Sequence, residues 1–206
     1  KMSEIRSFLK KTDSKYFSLS GNMCIQRNAV ICIHDIRPWL FKEFDPISFR
    51  IRCGLNFLSS KFNAGRIVTV SETSKEEMSS HLRISKSKIT VIPNGWEHMR
   101  DIKEDVDFWQ RHPDIRKGEY LYSLSSVAPH KNFKWIIENA KLHPEVNFIV
   151  GGKKWELSNE EQEAVGNVRF LGYVTDEENK TLMKNCKAFV HPSMYEGFGI
   201  TPLEAL

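Results

Sequence analysis

The sequence predicts an α/β fold built on parallel sheets, and three observations lead to this prediction. Short apolar runs rich in β-branched residues, such as AVICI and NFIV, recur along the chain and are typical of strands buried on both faces. Helical patterns separate these runs, as expected when crossover helices join parallel strands. The length of 206 residues suits one large domain or two small ones.

Seven segments have the composition of strands. In chain order they are Ala29–His34, Arg66–Ser71, Lys88–Ile92, Tyr120–Ser125, Val146–Gly151, Val168–Gly172 and Ala188–His191. The charged stretch from Trp96 to Gly118 has no strand signal, although it contains a candidate short helix over Asp105–Gln110. We interpret this stretch as an interdomain connection and predict two domains, residues 1–98 and 99–206.

The helices between the strands carry start signals. Thr73 and Thr175 are each followed three residues later by a glutamate, and this spacing predicts a capping box at both helix starts. A third helix, with the sequence FKWIIENAKL, opens at Lys131 or Asn132.

The segment Pro46–Phe62 is also predicted to be a helix. Its apolar residues recur at helical spacing, at Ile47, Ile51, Leu55 and Leu58. We expect this helix to pack against the core and to keep a basic face in solvent. The alternative is that the basic residues, Arg50, Arg52 and Lys61, contact anionic lipid.

Composition excludes several classes of protein. The net charge of +4 is compatible with an anionic ligand, an anionic membrane surface or a nucleic acid. We predict that the protein has no nucleic-acid partner. No apolar run approaches the ~20 residues of a membrane-spanning helix. Zinc-ligand spacings, a phosphate loop and GxGxxG are all absent, which argues against a metal site and a dehydrogenase. We expect the four cysteines, Cys24, Cys32, Cys53 and Cys186, to be reduced thiols in a cytosolic protein.

The most informative segment runs from His191 to Glu204 and follows a predicted strand directly. In parallel sheets, ligands bind beyond the carboxyl ends of the strands. Gly197 and Gly199 allow the backbone to approach a ligand closely. The carboxylates of Glu196 and Glu204 can each accept two hydroxyl hydrogen bonds, which suits a sugar.

The end of this segment predicts the start of a further helix. Thr201 is a good N-cap, Pro202 suits the first helical position, and Glu204 completes a capping box. The amides of this helix start would suit a phosphate. The alternative is that Glu204 serves only as the capping partner and that Glu196 is a solvated loop residue.

Three further segments follow predicted strands. Lys131 stands at a helix start, where a cation is unfavourable unless an anion such as a diphosphate binds there; the alternative is a surface lysine. His34 can bond a substrate hydroxyl or transfer a proton. Asp35 can orient it or cap the next turn. Asn94 and Gly95 tolerate positive φ and predict a hinge between the domains.

Together these segments resemble the retaining, nucleotide-sugar-dependent glycosyltransferases of group 1, or family 4. The resemblance rests on EGFGITPLE with its Glu-x7-Glu spacing, the P-H-K-N turn, VIPNG, IHDIRP and TVSETSKEEM. It covers the chain from about Ala29 to the end. It implies two Rossmann-like domains with parallel sheets (the GT-B fold), and we expect both to be incomplete: the later part of an acceptor-side domain and a truncated nucleotide-sugar-binding domain.

The resemblance also implies roles for single residues. Catalytic roles fall to Glu196 beside the donor sugar, to His34 facing that sugar, and to Lys131, which neutralises the leaving diphosphate. It further implies three kinds of contact with the donor: backbone amides towards the sugar and the diphosphate, a carboxylate towards the ribose, and the lysine. The residues concerned are Gly197, Phe198, Gly199, Ile200, Thr201, Glu204 and Lys131.

The family needs no metal or other cofactor, because basic residues and a helix dipole stabilise the departing diphosphate. We therefore expect transfer of a hexose from a nucleotide diphosphate sugar to a glycan or lipid-linked glycan, with retention, in the synthesis of a surface polysaccharide or lipopolysaccharide. The expected location is the cytoplasm, including peripheral contact at the inner face of the membrane. The alternative is a non-catalytic nucleotide-sugar-binding domain, because Ser126 and His130 stand where many members have an arginine.

Overall fold

The computed structural model describes residues 2–19, 26–124, 128–152 and 166–206. Cys24, Ser125 and Ser126, which the sequence predictions name, lie outside this part of the chain. Contacts divide the chain into two units. The first comprises Lys1–Asn94 and Glu196–Phe198, and the second comprises Gly95–Tyr195 and Gly199–Leu206. The proposed division into residues 1–98 and 99–206 stays a prediction.

The first unit is a four-stranded parallel sheet in the order β1-β2-β3-β4. Its strands are β1 (Phe17–Ser18), β2 (Ala29–Cys32), β3 (Ala64–Thr69) and β4 (Ile89–Val91). Its helices are α1 (Met2–Lys11), α2 (Arg37–Leu40), α3 (Ile47–Asn63) and α4 (Glu72–Leu82), with 3-10 turns at Lys42–Phe44 and Lys86–Lys88. The core includes Ile31, Ile36, Ile67 and Met78, whose side chains are fully buried.

The second unit is also a four-stranded parallel sheet, in the order β7-β6-β5-β8. Its strands are β5 (Tyr120–Leu124), β6 (Asn147–Gly151), β7 (Val168–Gly172) and β8 (Ala188–Phe189). In the part of this unit that the structure describes, the helices are α5 (His98–Asp101), α6 (Phe108–Arg111), α7 (Phe133–Leu142), α8 (Asp176–Asn185) and α9 (Ile200–Ala205), with a 3-10 turn at Pro129–Lys131. All seven predicted strands are thus confirmed, and β1 is an addition to them.

Strand β5 and its neighbour β6 bury both faces, as the apolar runs predicted. Tyr122 and Ile149 belong to one hydrophobic cluster, whereas Phe148 and Val150 belong to another. Alternate residues of a strand point to opposite faces, so this sheet is covered on both sides. The buried Tyr122 hydroxyl donates to Asn179 Oδ1 at 2.9 Å, and burial raises the pKa of this phenol well above its usual range.

One predicted helix start is confirmed and one is wrong. Thr175 caps α8, where its hydroxyl accepts from the Glu178 amide and the Glu178 carboxylate accepts from the Thr175 amide. The box predicted at Thr73 does not form, because α4 begins at Glu72, two residues earlier than an N-cap at Thr73 would require. Ser71 is its N-cap and accepts from the Ser74 amide at 3.0 Å.

Helix α3 forms where it was predicted, but the expected packing of its apolar residues is wrong. Its four periodic apolar residues are between 49% and 71% exposed, and they are Ile47, Ile51, Leu55 and Leu58. The helix is buried instead through Gly54, Phe57 and Ser60. This second face can approach the neighbouring elements closely, since Gly54 lies beside the ring of Trp39. The larger apolar residues are therefore left on the outside.

The described helices include none that combines the length and the apolar character needed to cross a bilayer.

Candidate active site

In the second unit, two of the segments that the sequence analysis selected lie side by side. Strands β5 and β8 are parallel neighbours, so the segments that follow them leave the same edge of the sheet. The Met194 amide donates to the His130 carbonyl oxygen at 2.8 Å, and the Ser193 hydroxyl donates to the same oxygen at 3.3 Å. The His-Lys turn and the start of the Glu-x7-Glu loop are therefore joined at the carboxyl ends of the strands.

Lys131 is the last residue of the 3-10 turn that precedes α7. Asn132 follows with a positive φ of 52° and is the N-cap residue, so α7 begins at Phe133. Of the two predicted starts, the structure supports Asn132. Lys131 is partly buried and precedes the first turn of α7, where unsatisfied amides favour an anion.

The last helix starts differently from the prediction. Gly199 is the N-cap of α9 and has a φ of 77°, in the left-handed region that glycine adopts readily. Helix α9 therefore begins at Ile200, and Thr201 already lies inside it. Thr201 is not the N-cap, and the capping box predicted between Thr201 and Glu204 does not form.

The Glu204 side chain has another neighbour. Its Oε1 atom lies 3.2 Å from Nε2 of His98 on α5, and the side chain is only 12% exposed. The alternative that Glu204 is only a capping residue is therefore wrong. A buried carboxylate needs polar partners, and a carboxylate can accept more hydrogen bonds than one contact uses.

His34 and Gly197 lie together in the first unit, to which residues Glu196–Phe198 belong. A Cβ atom on Gly197 would lie 3.0 Å from the His34 carbonyl oxygen and from Asp35 Cβ, so only glycine fits without a shift. The hydroxyls of Ser71 and Ser74 donate to the Gly197 carbonyl oxygen at 2.6 and 3.2 Å. These contacts fix the backbone next to Glu196.

The His34 imidazole has a defined orientation. Its Nε2 atom lies 3.2 Å from the Leu19 carbonyl oxygen, which can only accept, so Nε2 is the protonated nitrogen in this contact. Nδ1 is then the acceptor of the neutral ring. Asp35 Oδ1 accepts from the Arg37 amide at 2.8 Å, at the start of α2, which supports its alternative role as a cap of the next turn.

The predicted hinge coincides with a division in the structure. The boundary between the two units falls between Asn94 and Gly95. Neither residue takes the positive φ that the Asn-Gly pair permits, and neither belongs to a turn. A hinge function for this pair stays a prediction.

The sequence analysis missed several residues that hold these segments in place. Ser71 and Ser74 fall within TVSETSKEEM, and Ser193 falls within the loop, but no spacing rule indicates that their hydroxyls bond distant carbonyl oxygens. No sequence pattern indicates a role for His98, because its contact with Glu204 depends on tertiary packing. In the described ranges, no three His, Cys, Asp or Glu residues form a group that could hold a metal ion.

The structure thus places the candidate residues in defined positions, whereas their roles in catalysis and donor binding stay predictions. In the second unit, Lys131 follows β5 and Gly199 follows β8, while Glu204 lies on α9 with its carboxylate beside His98 of α5. In the first unit, His34 and Gly197 lie beyond the end of β2. Each group therefore lies at the edge of its own sheet where parallel α/β proteins bind ligands.

Comparison with known sequences identifies the family. The family model described as "Glycosyl transferases group 1" matches residues 105–206. The O-antigen chain mannosyltransferase RfbU of Salmonella typhimurium is 32% identical over 189 residues, which are 87% of this chain and 50% of that protein. The serotype-specific mannosyltransferase WbdA of Escherichia coli is 27% identical over 229 residues, covering 98% of this chain and 27% of that protein. The chain thus spans half or less of the length of these relatives.

Solved structures support the fold. Anabaena HepE in complex with UDP-glucose superposes with a TM-score of 0.68 at 21% identity, covering 87% of this chain and 50% of that chain. Sucrose-phosphate synthase from Thermosynechococcus elongatus gives a TM-score of 0.70 at 18% identity, covering 99% of this chain and 56% of that chain. These likenesses confirm the predicted α/β fold of GT-B type. On the family match and its sequence relatives, the chain belongs to the group 1 glycosyl transferases.

Proposed function

We propose that the protein transfers a hexose from a nucleotide diphosphate sugar to a glycan or lipid-linked glycan acceptor, with retention at the anomeric carbon. The product would be a surface polysaccharide or lipopolysaccharide. The two sequence relatives described above are mannosyltransferases by name, and this favours mannose as the hexose.

The observation that carries this proposal is the junction at the His130 carbonyl oxygen. It accepts hydrogen bonds from both Ser193 and Met194, and it thereby joins the turn that contains Lys131 to the loop that leads to Glu196. A diphosphate that lies beside Lys131 would be next to this loop. The arrangement is compact enough for one ligand to contact both segments.

Lys131 is proposed to stabilise the leaving diphosphate. Negative charge builds up on the nucleotide diphosphate as the glycosidic bond breaks, and a cation already in position lowers the energy of that transition state. The unsatisfied amides in the adjacent first turn of α7 carry partial positive charge and therefore favour the diphosphate as well. With this charge supplied by the protein, we propose that the reaction requires no metal ion or other cofactor.

The remaining roles follow the Glu-x7-Glu pattern. Glu196 is proposed to act beside the donor sugar, with the amides of Gly197, Phe198 and Gly199 as further sugar contacts. The amides of Ile200 and Thr201 are proposed to meet the diphosphate. Glu204 is proposed to accept hydrogen bonds from the ribose hydroxyls, and His34 to bind a sugar hydroxyl through Nδ1, the nitrogen that Leu19 leaves available.

Replacing Lys131 by alanine tests the diphosphate assignment. We expect Lys131→Ala to weaken binding of a nucleoside diphosphate by about tenfold or more, since a hydrogen bond to a charged group contributes about 1.5–3 kcal/mol, and to leave binding of the nucleoside almost unchanged. Isothermal titration calorimetry on the full-length protein measures both affinities.

Lys134→Ala is the matched control for this experiment. Lys134 lies three residues further along, in the first turn of α7, and pairs with Glu138 at the surface, where its side chain is 80% exposed. Its removal should affect neither affinity. An equal loss for nucleoside and nucleoside diphosphate in Lys131→Ala would disprove the assignment of Lys131 to the diphosphate.

We also propose that α3 brings the protein to the membrane. The four periodic apolar residues of α3 and the nearby Trp39 line a groove of about 500 Å³, and Lys42 and Arg50 line it as well. Arg52 is exposed on the same helix. Apolar side chains flanked by cations are suited to the surface of a bilayer that contains anionic lipid.

The location that fits this contact is the inner face of the cytoplasmic membrane, with the protein in the cytoplasm. The free thiols of Cys32, Cys53 and Cys186 are compatible with a reducing compartment. A lipid-linked acceptor would be presented at the same surface, so membrane contact by α3 would bring the protein to the surface that carries its acceptor.

A further inference from the structure

Glu204 and His98 are held against each other by the core of the second unit. Met99 on α5 is 3% exposed and belongs to a buried cluster, and Ala205 on α9 packs against the same cluster. Each of these apolar residues is the immediate chain neighbour of a polar one, His98 or Glu204. The packing therefore fixes the two backbones that bring the imidazole and the carboxylate to 3.2 Å.

The turn that carries His98 is also fixed locally. The Met99 amide donates to the Trp96 carbonyl oxygen at 3.2 Å, and the Arg100 amide donates to that of Glu97 at 2.9 Å. The Arg100 guanidinium lies over the Trp96 ring, 4.7 Å from its centre. These backbone hydrogen bonds and the contact between Arg100 and Trp96 thus hold the short helix that carries His98, although the His98 side chain is 52% exposed.

We propose that His98 is a positioning residue for nucleotide recognition: its imidazole orients the Glu204 carboxylate to accept hydrogen bonds from the vicinal hydroxyls of a ribose. This inference rests on the proposed function, in which Glu204 is the ribose ligand. The carboxylate keeps acceptor capacity beyond its contact with His98. A side chain that is already oriented loses less conformational freedom when the ligand binds.

If His98 orients the Glu204 carboxylate, the protein should bind a ribonucleotide more tightly than an analogue that lacks the ribose hydroxyls. The probes are the ribonucleotides UDP, GDP and ADP, each compared with its 2′,3′-dideoxy analogue by calorimetry on the full-length protein. The measured quantity is the ratio of the two affinities for the nucleotide that binds. We expect Glu204→Gln to lower this ratio by about tenfold and His98→Ala by about threefold, in the range that one hydrogen bond contributes.

Two further variants separate positioning from a general loss of structure. His98→Gln keeps a donor near the position of Nε2 and should recover part of the ratio. His143→Ala removes another exposed histidine beside a carboxylate, that of Glu145 at 3.4 Å, and should leave the ratio unchanged. In a Glu204→Gln background, His98→Ala should have no further effect, since coupled residues are not additive.

The outcomes distinguish this inference from the function on which it rests. If Glu204→Gln lowers the ratio but His98→Ala does not, or if His98→Ala acts equally in both backgrounds, His98 has no positioning role and the ribose assignment of Glu204 stands. If Glu204→Gln leaves the ratio unchanged, or if none of the three nucleotides binds, the proposed role of Glu204 fails and the inference fails with it.

Discussion

At the scale of the residue, the Thr175 hydroxyl stabilises the start of α8 because it accepts from a backbone amide that has no partner inside the helix. The Glu178 carboxylate does the same for the Thr175 amide at 3.0 Å. We expect Thr175→Ala to lower the free energy of unfolding by about 1 kcal/mol, as measured by urea denaturation.

Thr73→Ala is the control for this measurement, because Thr73 has the same T-x-x-E pattern but is exposed in α4 and is not its N-cap. It should change the free energy of unfolding by less than about 0.5 kcal/mol. Equal losses in the two variants would mean that the hydroxyl of Thr175 contributes nothing through capping.

These two threonines also show what local patterns can and cannot predict. The pattern is sufficient at Thr175, where the chain enters the helix from an extended residue. At Thr73 a serine two residues earlier takes the N-cap position, because Ser71 is itself extended and its hydroxyl reaches the Ser74 amide. At Thr201 the positive φ of Gly199 decides the helix start, and a sequence pattern does not reveal which glycine adopts it.

At the scale of the element, substitutions in α3 test the proposed contact of this helix with the membrane. We expect the double variant Ile51→Glu and Leu55→Glu to reduce binding to vesicles that contain phosphatidylglycerol by at least about tenfold, since burial of one such side chain contributes about 1.5–3 kcal/mol. Co-sedimentation of the full-length protein with the vesicles measures this binding.

Leu142→Glu is the control for α3, because Leu142 is 73% exposed but lies at the end of α7. It should bind vesicles like the unchanged protein. If the unchanged protein does not bind, or if the double variant binds equally well, α3 makes no membrane contact.

The periodicity of α3 predicted its existence and extent but not its orientation. Apolar residues occur on two sides of the helix, and the side with Gly54 and Phe57 is the one that packs. Spacing alone cannot choose between two such sides, because the choice depends on how closely neighbouring elements approach. Predictions of strands were more secure, since runs such as NFIV are apolar on both faces and need no such choice.

At the scale of the whole molecule, the two parallel sheets and the candidate loops at their edges follow from the sequence, whereas long-range contacts do not. The two-residue strand β1 is too short to have a pattern. The grouping of Glu196–Phe198 with the first unit depends on hydrogen bonds from Ser71 and Ser74 to Gly197, which join residues more than a hundred positions apart. The contact between Glu204 and His98 likewise joins residues that are far apart in the sequence.

The central claim is that this chain carries the donor site of a nucleotide-sugar-dependent transferase. The most direct test is calorimetric titration of the full-length, folded protein with UDP, GDP, ADP and dTDP. We predict that one of these nucleotides binds clearly more tightly than the others and thereby identifies the donor class. Failure of all four to bind would contradict the account.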